Sequence, residues 1–415
     1  MRFFIFLALF FSSAIWAQSL PNPLSLADVL ELSKQRNFSE QQQQLNVDTQ
    51  KIALDDWKSQ YDIQATLDLE LASRNSYQAN TDNSHAFIYL KKTLYDQTLE
   101  IGKDAQLSNV NDALLYFEQL QYDKTIDVMR GFFDVVLADM NYQTSLEILA
   151  VAAVKEEQVK DDYDIQNASE VDLLEKQTTT QLSQIQRIKA ESKQIQTRSE
   201  LAQLLNISYE NRPDDVIRPA YKTLFTKKLL EFEHYQQRLT NNPKLKQLNQ
   251  ALLATNNQIA QEKNNLGMVI SSNARLGEQA YQRNKNGKWR IGLNLSIPFG
   301  DDAEQDNKIS QLQIQAKQKR ISIQQYKQSL LGIALEYHLK LRSLRQIHKA
   351  VVIELDYRDL YLERARANYE MEIKSDIGDA MANYTNSERK LAENDFNYVI
   401  TLKKLHHLIG EDYEI

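Results

Sequence analysis

The stretch that decides the fold is Trp289-Arg290-Ile291-Gly292-Leu293-Asn294-Leu295-Ser296-Ile297-Pro298-Phe299, in which apolar and polar residues alternate strictly from Trp289 to Ile297. A period of two is the mark of a β-strand with one apolar and one polar face. A strand of about ten residues with an aromatic at each end has the form of a transmembrane barrel strand. The same alternation recurs three times. Ile63, Ala65, Leu67, Leu69 and Leu71 alternate with Gln64, Thr66, Asp68 and Glu70. A second strand over about His85 to Tyr95 puts Ala86, Ile88 and Leu90 on one face. A third puts Leu266, Met268, Ile270, Ser272 and Ala274 together. The turn from Gly277 to Lys288 contains Asn286-Gly287, a hairpin dipeptide, and Ser73 to Ser84 reads as a polar loop.

Outward from the strands, the chain is poor in breakers. Its 415 residues contain 10 Gly and 6 Pro, about 4% against roughly 12% in average usage. Prolines stand only at 21, 23, 213, 219, 243 and 298. Past Gly102, Ile101 to Tyr163 has only Gly131 as a weak point, and Asp302 to Tyr369 only Gly332, so each predicts one helix of about 95 Å at 1.5 Å per residue. In the second, Ile323, Tyr326, Leu330, Ile333, Tyr337, Leu341, Leu344, Ile347, Val351, Leu355 and Leu362 recur at steps of mostly three and four, a coiled-coil-like seam. Leu26 to Gln60 predicts a helix, with Ser25 as N-cap and Asp28 in its first turn. Mean hydropathy is −0.54, low for one compact globule of this length.

The two halves match in spacing. At an offset of 204 to 206, Asn37 pairs with Asn242, Leu94 with Pro298, Tyr163 with Tyr369, Ser169 with Ser375 and Val171 with Ile377. Each half reads helix, strand, strand, long helix, broken helix, as an internal duplication produces. The expected division is a signal peptide over 1–17, a first repeat over 18–220 and a second over 221–415. The leader has Arg2, an apolar run from Phe3 to Ile15, and the small residue Ala17 before the cleavage point. No later run reaches 18 apolar residues, which excludes an inner-membrane helix and leaves the periplasm or an outer membrane.

Other chemistry finds no support. Without cysteine there is no disulfide, zinc ribbon, thiol nucleophile or acylated N-terminus. A net charge of −7 with no basic stripe argues against nucleic acid. His338 and His348 are ten apart, and His406 and His407 point to different helix faces, so neither pair has metal-ligand spacing. Nucleotide and acyl-transfer motifs are absent, and no cofactor or catalysed reaction is expected.

Strand pairs framed by very long helices, twice over and behind a leader, resemble the outer-membrane efflux proteins of the TolC family. Leu24-Ser25-Leu26-Ala27-Asp28-Val29-Leu30 with Arg36-Asn37 looks like the family's opening helix, and Ile291 to Gly300 like its last strand. Tyr163 through Ala168-Ser169-Glu170-Val171-Asp172-Leu173-Leu174 looks like its hairpin tip. The resemblance runs from Ser25 to Gly410. It implies a mainly α fold with a membrane β portion: a homotrimer whose protomers contribute four strands each to a 12-stranded β-barrel, continued by a periplasmic α-helical tunnel. Its implied role is the exit duct of a tripartite efflux pump or type I secretion system, in outer-membrane lipid, joined to a periplasmic adaptor protein and an inner-membrane transporter. A periplasmic coiled-coil adaptor or scaffold is the alternative, though an adaptor would have one helical hairpin rather than two.

Site candidates follow from position. At the tips, Tyr163–Leu174 and Tyr369–Ala380, the family's glycine three residues after the tyrosine is replaced by Gln166 and Glu372. Asn167, Ala168, Ser169, Glu170, Lys374 and Ser375 are candidates for adaptor contact, with Asn167, Ser169, Ser375 and Asp376 able to cap the turns. Asp172, Asp376 and Asp379 are candidates for a carboxylate ring at the periplasmic mouth, since threefold symmetry turns each Asp into three charges in one plane. On the strands, Thr66, Asp68, Glu70, Arg290 and Asn294 are expected to face the lumen, and Asp68 with Glu70 predicts a cation-preferring pore.

Overall fold

The structure is a computed structural model that describes residues 21–75, 80–280, 287–298, 303–371, 376–411 and 413, except for the Lys222 side chain. The elements are α1 (Leu26–Ser33), α2 (Phe38–Ser59), β1 (Ile63–Glu70), β2 (Ser73–Asn75), β3 (Asn80–Asp82), β4 (His85–Asp96), α3 (Gln97–Asp164) and α4 (Glu170–Leu204). After these come α5 (Phe232–Arg238), α6 (Pro243–Lys263), β5 (Val269–Gln279), β6 (Trp289–Ser296), α7 (Ala303–Glu370) and α8 (Ile377–Leu408). Both long helices, α3 and α7, contain 68 residues. The element order repeats at the spacing read from the residues: 243 − 38 = 205 for α6 and α2, 269 − 63 = 206 for β5 and β1, 289 − 85 = 204 for β6 and β4, and 303 − 97 = 206 for α7 and α3.

Four expectations need correction. Leu26 to Gln60 is two helices, not one, and α4 and α8 are each continuous rather than broken. The break therefore falls in the opening element of each half, at Lys34–Asn37 and at Leu239–Asn242. In the first half the backbone is released with a partner at hand, because Lys124 Nζ donates to the Gln35 carbonyl at 2.6 Å. In the second, Asn242 caps α6 through Leu245 N (3.0 Å), and Pro243 takes the first helical turn, where its missing N–H costs nothing. Within Ser73 to Ser84, expected as loop, β2 and β3 form a short hairpin with Ser73 opposite Asp82. The third strand runs Val269–Gln279, three residues later at its start than read and passing through Gly277. Asn286 and Phe299, like the leader, lie outside the described residues.

The chain divides into two compact units, each built from both halves. A helical unit takes Met1–Asn37, Lys124–Lys228 and Ser343–Ile400. Its core holds Phe132, Phe133, Met129, Leu201, Leu205, Tyr221, Phe396 and Val399, all buried. Phe133 stacks on Phe396 with centroids 4.2 Å apart, and Tyr221 meets both edge-on at 6.2 Å. Gly131 in α3 lets Leu201 and Leu204 approach, since a Cβ there would lie 2.9 Å from Leu204 Cδ1. Arg198, 11% exposed, pairs bidentately with Asp139 at 2.6 and 2.9 Å and donates to the Pro213 and Asp214 carbonyls, which pins the proline-bounded linker.

A sheet-bearing unit takes Phe38–Asp123, Leu229–Arg342 and Thr401–Ile415. Here Asn242 also accepts from the Tyr326 hydroxyl (3.1 Å) and donates to the Leu408 carbonyl (3.0 Å). Lys319 Nζ donates to the Ala251 carbonyl and Thr255 Oγ1, and the buried Glu262 pairs with Lys308 at 2.5 Å. Of the predicted seam of α7, Ile323, Leu330 and Leu341 are buried in this unit and Leu344, Val351 and Leu362 in the helical one, whereas Ile347 is exposed. Ala316, Ala334 and Ala365 are buried as well, small residues that let a neighbouring helix come close.

Candidate functional site

The sheet is antiparallel, in the order β1-β4-β5-β6, so the second hairpin follows the first edge to edge. Its registers place each strand residue on a face. One row crosses Leu67, Ile88, Leu276 and Trp289, and the next crosses Ala65, Leu90, Ala274 and Ile291. These rows, with Leu69 and Leu293, form a mainly apolar face, broken by Lys92 in the row of Leu293 and Glu278 in the row of Leu69, that the chain leaves open: Leu67 is 64% exposed, Ile291 73% and Leu293 77%. A β-bulge between Thr93 and Tyr95 resets the pairing near the helix end. Gly277, at φ +150°, is required by a close crossing, because a Cβ there would stand 1.9 Å from the Ala86 carbonyl oxygen.

The opposite face carries every strand residue expected to line a lumen. Thr66, Tyr89, Arg275 and Arg290 form one row; Gln64, Lys91, Asn273 and Gly292 the next; Thr93, Ser271 and Asn294 the one after. Asp68 and Glu70 are on this face too, each 3.2 Å from a ring nitrogen of His85. Arg275 lies over the Phe87 ring at 4.7 Å. Lys91, Arg275 and His85 were not singled out from the sequence, although the alternation that put Leu90 and Ala274 on the apolar face assigns their neighbours to the polar one. With Lys91, Arg275 and Arg290 against Asp68, Glu70 and Asp96, the face holds as many cations as acids, so Asp68 and Glu70 alone do not make the pore cation-preferring.

The first tip belongs to the helical unit. α3 ends with Gln166 N–H donating to the Tyr163 carbonyl (2.9 Å) and Asn167 N–H to the Asp162 carbonyl (2.7 Å), a Schellman cap. Its left-handed position is Gln166, at φ +65°, where glycine would be free of strain. Ala168 is half-buried. Ser169 N-caps α4, its Oγ accepting from Asp172 N–H (3.2 Å) while its own N–H (3.0 Å) and Oγ–H (2.6 Å) donate to the Asp172 carboxylate. Those hydrogen bonds hold the Asp172 carboxyl below the usual carboxylate range. The same box closes at Ser25 and Asp28. Glu170 opens α4 and is exposed.

Asp379, in the first turn of α8, is paired with Lys155 of α3. One residue earlier, Gly378 sits against Val151, where a Cβ would come within 2.2 Å of Cγ2. Asp376 is exposed immediately before α8, and its carbonyl accepts from Ala380 N–H at 2.9 Å. Asp172 and Asp379 are thus each held by a partner within the chain. Glu372, Lys374 and Ser375 lie outside the described residues. Among the described residues no group of His, Asp and Glu has the geometry of a metal site, and no helix is long and apolar enough to cross a membrane.

Two long helical hairpins and a four-stranded sheet with an open apolar face define the fold of outer-membrane channels, as the resemblance to the TolC family implies. Several solved structures similar in fold to this chain are outer-membrane channels. Crystal structures of CusC, described in connection with transmembrane channel formation, superpose at TM-score 0.75 with 16% identity over 93% of this chain and 92% of that one. The CmeC outer-membrane channel of Campylobacter jejuni gives TM-score 0.73 and 14% identity, covering 94% and 87%. The open-state MtrE outer-membrane channel of Neisseria gonorrhoeae gives 0.71 and 14%, covering 93% and 89%. No protein-family model and no curated protein matches the chain.

Proposed function

We propose that the chain is an outer-membrane channel, one protomer of a homotrimer that serves as the exit duct of a tripartite efflux pump or type I secretion system. The observation that carries this reading is the sheet: four antiparallel strands, with β1 and β6 unpaired at its edges among the described residues, and an apolar face that leaves Leu67, Leu69, Trp289, Ile291 and Leu293 exposed. Hydrocarbon tolerates neither an open edge nor an unpaired backbone group, so such a sheet enters a membrane only as part of a closed barrel. Three copies supply twelve strands, an even number above the minimum of eight. Trp289 sits at one end of the apolar face, where an aromatic belt meets the headgroups.

In this reading the polar face lines the pore, and the helices continue it through the periplasm as two repeats, 18–220 and 221–415, behind a cleaved leader. Transport is passive. The tip segments Asn167–Glu170 and Lys374–Ser375 meet a periplasmic adaptor, which joins the duct to an inner-membrane transporter. Asp376, with no side-chain partner among the described residues, is the strongest candidate for a carboxylate ring at the mouth, while Asp172 and Asp379 hold the tips in shape and contribute charge from there. The purified full-length protein in a planar bilayer is the test. Discrete conductance steps support the duct, and cation selectivity lowered by Asp376→Ala supports the ring. A protein that never enters the bilayer contradicts the first, and unchanged selectivity in that variant contradicts the second.

A further inference from the structure

Within the sheet, Arg275 and Arg290 are direct cross-strand partners on one face. Like charges directly opposite in an antiparallel pair oppose folding, since their Cβ atoms stand about 5 Å apart. Yet neither guanidinium has a carboxylate partner among the described residues, and Lys91, one row on, has none either. The two rows Thr66–Tyr89–Arg275–Arg290 and Gln64–Lys91–Asn273–Gly292 contain three cations and no acid. The acids of this face stand outside those rows and are occupied: Asp68 and Glu70 flank His85 at 3.2 Å, and Asp96 caps α3 by accepting from Thr98 and Leu99 N–H at 2.9 and 3.2 Å. Glu278, on the opposite face in the row of Leu69, pairs with Lys288 at 2.9 Å. Tyr89, exposed in the row of the arginines, adds a hydroxyl. An unneutralised pair of guanidiniums in a fixed register suits carboxylate, phosphate or sulfate groups, which accept its parallel N–H donors.

We propose that Arg275, Arg290 and Lys91 form a basic band in the barrel that draws anionic solutes into the duct. This rests on the orientation given above, with the polar face toward the lumen. In a trimer the band repeats three times, and the repeated cations around one closed wall focus the potential on its axis.

Because the chain lacks cysteine, a single Asn273→Cys reports the potential inside the band. The full-length variant, embedded in outer-membrane vesicles, is reacted with an anionic (sulfonatoethyl) and a cationic (trimethylammonioethyl) methanethiosulfonate, and the ratio of rates is normalised to that of a free thiol. The anionic reagent is expected to be favoured, with the preference falling about fivefold or more in Arg275→Gln/Arg290→Gln, given two charges within a screening length. Arg275→Lys/Arg290→Lys, which keeps the charge, is expected to retain the preference and shows that the loss is electrostatic. Modification at a ratio unaffected by Arg→Gln overturns the band alone. If neither reagent reaches the introduced thiol, the face is not wetted, and the channel orientation falls with it.

Discussion

The helical core around Phe133 and the sheet around Leu293 are both built from large apolar side chains, yet they treat them oppositely. Phe133 is 2% exposed, enclosed by Phe132, Tyr221 and Phe396, whereas Leu293 is 77% exposed. One region completes its burial within the chain; the other is apolar for something outside it. Water does not support the second arrangement as a final state, because an exposed contiguous apolar face marks a lipid or protein contact.

Substitutions in the two regions should therefore fail differently. Phe133→Ala removes a stacked ring from a closed core and should cost about 3–5 kcal/mol, seen as a lowered unfolding midpoint of the detergent-purified protein. Leu293→Arg should leave that midpoint nearly unchanged for the helical signal. It should cost about 2–4 kcal/mol in membrane transfer, seen as loss of the protein from the outer-membrane fraction. If Leu293→Arg instead unfolded the helices, the two regions would not be energetically separate. At the tip, Gln166→Gly relieves a left-handed non-glycine residue and should stabilise the hairpin by about 1 kcal/mol, read by hydrogen exchange at Ile165–Ser169.

The smallest effect concerns pH. Asp172 is held below its ordinary value by Ser169, so its contribution is complete above the ordinary carboxylate range and is lost as pH falls through the depressed value. Fraying of the first turn of α4 should set in under acid conditions and should disappear as a pH effect in Asp172→Asn, which exchange at Glu170–Leu173 would register.

The same contrast explains what could be read in advance. Strand alternation, the two long helices and the N-caps at Ser25 and Ser169 depend on neighbours a few residues apart and are legible in the sequence, whereas the box that Asp172 closes with Ser169 is seen in the structure. The break before α2 depends on Lys124 reaching the Gln35 carbonyl, a contact that no local pattern carries, whereas Asn242-Pro243 marks the start of α6 locally and its bonds to Tyr326 and Leu408 are what the sequence hides. On the candidate surface, the shared face of Thr66, Asp68, Glu70, Arg290 and Asn294 follows from the period of two. The same period assigns Lys91 and Arg275 to that face; what it does not give is the register that sets Arg275 directly opposite Arg290 and Lys91 one row on. Gln166 shows the converse: the sequence marked it as a departure at the tip, and the backbone accepts it at φ +65° without changing the cap.

The central claim is that one chain supplies a third of a closed barrel. The native mass of the full-length protein extracted from the outer membrane in mild detergent tests it most directly. Three chains per particle, dissociating to monomers only on denaturation, is the predicted result. A monomer or dimer recovered from the soluble periplasm would contradict it.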